Sequence, residues 1–288
     1  MGPPGAVAKV SLLNTCFLRQ VPTAPYVQPI VHGHGHFSGL PCLVFLIQNF
    51  SGRRVLFDLG TRKDWRNLSP MVLVEVDRDK IEVDIQEDVV YCLRQGGIAP
   101  HDIEAVVLRN KTLEELDFNA GTTVDIGPFK GVDFFGDGSF YIVNAPGHTL
   151  GHIYALTRTT TSPDTFLFMR ADSWHHNAED RPSCFRRIPR TLHLEPSVAL
   201  NPIAGLIFKN HLQFADYVYD VAEAKVTITK LQHLDSFDNV FVVLAHDDAI
   251  CPIVPLFPTT MNDWKSQGWH DKCRWAFLKD FRRLWHAK

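Results

Sequence analysis

Three apolar runs in this sequence end on a histidine or an aspartate. They are Val143-Asn144-Ala145-Pro146-Gly147-His148-Thr149-Leu150-Gly151-His152, Phe168-Met169-Arg170-Ala171-Asp172 and Val243-Leu244-Ala245-His246-Asp247. Apolar runs with such boundaries read as strands. If these strands lie side by side, His148, Asp172 and His246 converge at one edge of the sheets. Imidazoles plus a carboxylate at such a rim are the donor types that zinc takes, and the same groups carry protons near neutral pH.

The rest of the chain supplies the layers. Runs bounded by Gly, Pro and Asp predict strands at Leu43–Gln48, Arg54–Asp58, Ala105–Leu108, Phe140–Val143, Ile153–Thr157, Phe166–Met169 and Val240–Ala245. Ile85, Val89 and Leu93 recur at helical spacing, with Gly96 as a stop. A second helix fits within Ala215–Ser236 and a third within His270–Trp285, where Phe277, Phe281, Leu284 and Trp285 share a face. No repeat or linker interrupts this alternation, so one layered α/β domain over residues 1–288 is expected, sheets inside and helices outside. Pro22–Gly39, Lys111–Gly138 and Ala178–His211 read as irregular, and such stretches are commonly functional loops or pocket walls.

Composition narrows the partners. The formal net charge is −3 with both signs interspersed, which gives no basic face for a nucleic-acid backbone. No run approaches the roughly 20 apolar residues of a membrane span, and Met1 to Leu18 lacks a basic n-region, so a cytoplasmic protein without a membrane partner is expected. The six cysteines are widely scattered without a C-x-x-C pair and read as reduced, mostly buried thiols. The pattern fixes no oligomeric state.

In order and spacing the three motif stretches resemble the metallo-β-lactamase superfamily. There the P-G-H-T-x-G-H turn gives one zinc ligand, a strand-ending Asp bridges two metals and a late His completes the second site. Val55-Leu56-Phe57-Asp58-Leu59-Gly60 looks like that family's strand-ending F-D-x-G, whose Asp sits just behind the metals. The likeness runs from about Leu43 to His246. Leu59-Gly60-Thr61-Arg62-Lys63-Asp64-Trp65, Asp172-Ser173-Trp174-His175-His176 and Asn262-Asp263-Trp264-Lys265 are similar to a fungal, lactonase-like branch. The resemblance implies a four-layer αββα sandwich with Asp58, His148, Asp172 and His246 around one cavity.

One part of the family pattern is missing. An H-x-H-x-D-H loop normally follows a strand and feeds both zincs, but after Ala105–Leu108 this chain reads Arg109-Asn110-Lys111-Thr112-Leu113-Glu114-Glu115-Leu116-Asp117-Phe118. On the simplest alignment Asn110 and Thr112 replace the first two histidines, and Glu114 and Glu115 replace the Asp and the last His. Amide and hydroxyl oxygens are poor zinc ligands beside imidazole. No cofactor is therefore expected, or at most one weakly bound divalent metal such as zinc, on His148, Asp172 and His246. Arg170 or Arg109 is expected to enter the vacated space and pair with Asp172, because a buried carboxylate without its metals needs a counter-charge; the competing expectation is an Arg170 that points to solvent.

The remaining candidates each carry two readings. His32-Gly33-His34-Gly35-His36 can align three imidazoles on one side of a strand, where they could bind a metal, or form a solvated loop; the family places this region near the pocket mouth, so His34 and His36 are candidate substrate contacts. At most one of His175 and His176 faces the substrate, since neighbours on an extended segment point apart. Arg109, Glu114 and Glu115 are further substrate-contact candidates. His152 reads as a core or supporting histidine, and Asp58 either orients an imidazole or caps a strand.

Three functions compete. The leading expectation is an enzyme acting on a small organic, secondary-metabolite or polyketide-like molecule by acid–base chemistry without a dinuclear zinc: isomerisation, cyclisation, elimination or metal-free hydrolysis. Its catalytic groups are His148, Asp172, His246 and Arg170. The second is a mononuclear metal-dependent hydrolase of a lactone, ester or thioester. The third is a non-catalytic binding protein.

Overall fold

A computed structural model of the chain describes residues 5–24, 33, 35–85, 87–108, 118, 121–171, 177–189, 193–194, 198–199 and 218–281. One sheet holds β1 (Lys9–Arg19), β2 (Leu40–Gln48), β3 (Arg54–Phe57), β4 (Glu82–Asp84) and β5 (Ala105–Val107) in the order β4-β1-β2-β3-β5. The other holds β6 (Thr123–Ile126), β7 (Phe129–Asp133), β8 (Phe140–Asn144), β9 (Ile153–Thr161), β10 (Asp164–Met169) and, beyond the short hairpin β11 (His193–Leu194) and β12 (Val198–Ala199), β13 (Val240–Val243). Its order is β13-β10-β9-β8-β7-β6. The helices are α1 (Pro70–Asp79), α2 (Val89–Gln95), α3 (Val221–Asp235) and α4 (Trp269–Arg274).

Strand alternation builds the layers. Phe140, Ile142, Leu167, Met169, Phe241 and Val243 face inward and meet Val10, Leu12, Phe45, Ile47, Val55 and Phe57 of the other sheet. Their neighbours Tyr141, Val143, Phe166, Phe168, Val240 and Val242 face outward against Ala224, Leu231 and Leu234 of α3. On the far side Leu13, Val44, Leu46 and Leu56 pack on Leu93 of α2. Strands covered on both faces are apolar throughout, because each residue has a core to enter. Each large side chain so buried contributes about 1.5–3 kcal/mol, which makes the layer between the sheets the dominant source of stability. The result is the expected αββα sandwich.

The tail closes the sandwich. Asn262 accepts from the backbone N–H of Val10 (3.0 Å) and donates to the carbonyls of Ala8 (2.8 Å) and Thr159 (2.9 Å), tying β1 to β9 across the two sheets. Trp264 is fully buried in the inner layer, and its indole N–H donates to Thr159 Oγ1 at 3.1 Å. This explains why an Asn-Asp-Trp run belongs to the fold rather than to a loose tail.

Several expected elements shift. The helix around Val89 starts at Asp88, whose carboxylate caps the Tyr91 N–H at 2.8 Å, so Ile85 lies before it. The C-terminal helix is shorter than expected, α4 giving way to a 3-10 turn at Ala276–Phe281. Lys111–Gly138 is not irregular throughout, since β6 and β7 form a hairpin closed by Ile126 and Phe129. Strand β1 and helix α1 have no counterpart in the sequence reading.

Candidate active site

Parallel pairing decides where the motif residues gather. β10 and β13 run parallel with Met169 opposite Val243, and β9 begins where β10 ends, with Met169 opposite Ala155. In the other sheet β3 and β5 run parallel with Phe57 opposite Val107. The ends are then stitched across the sheets: Ala245 N–H donates to the Ala171 carbonyl (3.2 Å), and Leu43 N–H donates to the Ala245 carbonyl (3.1 Å). Between them lies a cavity of about 340 Å³ whose walls include Phe57, Asp58, Ile153, Ala171, Ala245 and His246.

Two non-glycine residues in this wall have left-handed backbones, Asp58 at φ +72° and Ala171 at φ +45°. That region is unfavourable for residues with a Cβ and persists where surrounding structure enforces it, commonly at functional sites. For Asp58 the local compensation is visible, because Oδ1 accepts from the N–H groups of Leu59 (2.6 Å) and Gly60 (3.1 Å). Gly60 itself sits at φ +61°, and a Cβ there would lie 1.9 Å from Thr15 Oγ1. Only glycine lets the F-D-x-G turn close against β1, which fixes the Asp58 carboxylate at the cavity.

His246 is held by one ring nitrogen. Nδ1 lies 2.6 Å from the Pro41 carbonyl oxygen. A carbonyl only accepts, so Nδ1 carries the proton. Directly behind it, burial pushes the Asp247 carboxyl above its ordinary range, helped by the charge of Asp248, although Arg181 and Asn177 pull the other way.

His148 takes a different place. Its turn is wedged against the start of α3: Gly147, at φ +118°, comes so close that a Cβ would lie 2.2 Å from the Ala224 nitrogen. Tyr219 N–H also donates to the His148 carbonyl at 2.9 Å. The buried His148 ring meets His152 at 5.3 Å, His152 meets Tyr154 at 5.5 Å, and Tyr154 meets Phe168 at 5.4 Å, so the two imidazoles continue the aromatic packing of the outer core. His148 is not among the described residues of the cavity wall.

Arg170 is fully buried, which removes the solvent-pointing expectation. Alternation sends it to the side of Phe168, while Ala171 lines the cavity. Its Nη1 lies 2.8 Å from Asp180 Oδ2, and Nη2 donates to Asn177 Oδ1 at 3.2 Å. Asp180 is thus the carboxylate beside Arg170 among the described residues, and the expected pair with Asp172 falls on a residue outside them. Asp172, His175, His176, His34, Arg109, Glu114 and Glu115 lie outside the described residues. His36 is described, exposed and bridged to Pro22.

Cys42 and Thr61 also line the cavity and were not singled out in the sequence. Thr61 follows the F-D-x-G turn directly and Cys42 lies in β2 just before Leu43, where the expected strand begins, so both sit one residue from a feature that was legible. A second polar cluster lies deeper. Asp235 on α3 bonds Arg181 Nε (3.0 Å) and Nη2 (2.7 Å) and Arg274 Nη1 (2.8 Å). Burial raises the Asp235 carboxyl, but the two guanidiniums outweigh it and hold it below the usual carboxylate range. Arg274 also donates to His270 Nε2, which requires a neutral ring; burial first, and the Arg274 charge second, push His270 down to about 4.

The dinuclear zinc of the resembled family can be compared with the donors present. Among the described residues no group of three His, Cys, Asp or Glu side chains is disposed to hold a metal. The stretch 109–118 contains no histidine. That stretch therefore offers no imidazole to either metal of the two-zinc centre.

No family model matches the chain. It is 30% identical to the gamma-lactamase FDB1 of Fusarium pseudograminearum, over 94% of this chain and 81% of that protein. It is 31% identical to the metallo-hydrolase mfmC of Annulohypoxylon moriforme, over 96% of this chain and 88% of that one. The structure of an N-acyl homoserine lactone hydrolase, with N-hexanoyl-L-homoserine at its catalytic metal centre, matches with a TM-score of 0.54. That match has 13% identity and covers 88% of this chain and 99% of that one, a likeness of fold. With two sheets between helices, the ordered strand-end motifs and relatives matching along nearly its whole length, the chain belongs to the metallo-β-lactamase superfamily, in its fungal lactonase-like branch.

Proposed function

We propose that this chain is an enzyme that moves protons on a small organic, carbonyl-bearing substrate in the cavity between the strand ends, without a dinuclear zinc centre. The observation that carries this reading is His246, an imidazole of the cavity wall whose orientation is fixed by its Nδ1 proton donating to the Pro41 carbonyl. A positioned imidazole is the side chain best matched to proton transfer near pH 7. Asp58, clamped by two backbone N–H groups, contributes a fixed carboxylate on the same wall. Asp172, which follows the cavity-lining Ala171, is the orienting carboxylate of this reading. Arg170 serves by holding Asp180 and Asn177, the far end of the segment that begins at Asp172.

Without zinc to acidify water, hydrolysis loses its usual nucleophile in this fold while proton transfer keeps its own. That favours isomerisation, cyclisation or elimination. The relative named gamma-lactamase supports cyclic amides as the first compounds to try. The test is a panel of lactams, lactones and 1,3-dicarbonyl compounds in deuterated water, scored for turnover and for deuterium entering carbon. The expected result is carbon-bound deuterium that persists in EDTA and falls by a factor on the order of 10²–10⁴ in His246→Ala. Ring opening that stops with EDTA and returns with zinc would replace this reading by the mononuclear hydrolase, which the relative named metallo-hydrolase favours.

A further inference from the structure

The six cysteines do not share one environment. Burial pushes the thiols of Cys92, Cys251 and Cys273 upward, Cys251 to about 12. Cys16 goes the other way. Its hydrogen bond with Cys42 lowers it more than burial raises it, and Thr61 adds to the lowering.

Backbone geometry brings this pair together. β1 and β2 change register between Asn14, which faces Leu43, and Phe17, which faces Pro41. Two residues of β1, Thr15 and Cys16, therefore oppose the single residue Cys42, the arrangement of a β-bulge. Thr15 Oγ1 donates to the Cys42 carbonyl at 3.3 Å, fixing the bulge. The bulge sets Cys16 against Cys42, and the Thr61 hydroxyl lies 3.4 Å from Cys42 Sγ. Both cysteines are buried from bulk water, at 2% and 5% exposure, yet Cys42 and Thr61 form part of the cavity wall.

We propose that Cys16 and Cys42 form an oxidisable dithiol site in the cavity wall, whose co-reactant is a small hydroperoxide. The Cys16 sulfur attacks one peroxide oxygen and the O–O bond breaks. The other oxygen leaves with the thiol proton as water or an alcohol, and Cys16 becomes a sulfenic acid. The Cys42 sulfur then attacks the Cys16 sulfur, the S–O bond breaks and water leaves, its second proton coming from the Cys42 thiol. The two sulfurs together lose two electrons, the peroxide gains them, and an external thiol reverses the change by exchange. The Thr61 hydroxyl beside Cys42 Sγ is placed to support charge developing on sulfur, and the cavity is the route by which peroxide reaches buried thiols.

The test uses the full chain, fully reduced, treated with limiting hydrogen peroxide, quenched with an alkylating agent and mapped by peptide mass spectrometry. Exposure alone would oxidise Cys184 first, since it is the exposed thiol of the set. The proposal expects a Cys16–Cys42 disulfide to form before Cys184 reacts, and dithiothreitol to restore both thiols. Cys42→Ser should stop at a sulfenic acid on Cys16 that dimedone traps. Oxidation of Cys184 while Cys16 and Cys42 remain thiols would overturn the proposal, as would a disulfide joining any other pair. If Cys42→Ser does not fold, the order and pairing in the unmodified chain decide alone.

Discussion

The cavity rim and the cluster behind it use the same residue types for opposite ends. Asp235 is enclosed by Arg181 and Arg274, whose guanidiniums are spent on carboxylate, carbonyl and the His270 ring, and its pKa is held low by partners that do not line the cavity. At the rim, Asp58 and His246 are held by backbone groups instead, a pair of N–H donors in one case and the Pro41 carbonyl in the other. Backbone anchoring fixes orientation without neutralising the group. The comparison teaches that buried charge in this chain is paired for structure, whereas on the proposed function the groups anchored by backbone beside strained strand ends are the ones that would act on substrate.

The sharpest way to break the comparison is to exchange the consequences. Asp235→Leu leaves two buried guanidiniums without their shared partner and should cost about 3–5 kcal/mol in urea unfolding, the usual result of removing one member of a buried ion pair. His246→Ala should lose turnover while its unfolding midpoint stays close to that of the unaltered chain. A large stability loss in His246→Ala, or a stable Asp235→Leu protein, would show that the two regions do not divide this way.

A smaller effect comes from pH. The folded chain keeps His270 neutral, with its pKa lowered to about 4 from an ordinary value of 6.5. The unfolded chain takes up the proton first, so this contribution is complete above about pH 6.5 and is lost as pH falls toward 4. Asp235 is depressed, so its contribution is complete above the ordinary carboxylate range and is lost at lower pH, as pH falls through its folded value. Melting temperature measured across both windows should fall in two stages, and His270→Gln should flatten the upper stage alone. An unchanged upper stage in that variant would assign the slope to another histidine.

The smallest expected effect tests the strain at the rim. Ala171→Gly relieves a left-handed alanine, and because glycine also loosens the unfolded chain the net gain should be under about 1 kcal/mol. A clear loss of stability would mean that Ala171 is held there by packing rather than against strain.

How much of this was legible follows from the same physics. Strands such as Arg54–Phe57 and Phe166–Met169 announce themselves because both faces enter a core and the ends carry turn residues. β1 was missed because its bulge breaks the alternation between Asn14 and Phe17. α1 was missed because it buries no residue and leaves Met71 and Val74 exposed, so no apolar stripe marks it. At the site, Asp58 and His246 were legible because motif order and strand ends both pointed to them. The direction of Arg170 was not, since one residue of register decides whether it or Ala171 faces the cavity. The cysteine pair was invisible, because only the bulge sets Cys16 against Cys42.

The central claim, proton transfer at His246 without a two-zinc centre, is tested most directly by elemental analysis of active protein purified without added metal. The account predicts that zinc stays well below two equivalents per chain and that activity does not scale with it. Two tightly held zincs per chain, with activity rising in proportion to their occupancy, would contradict it.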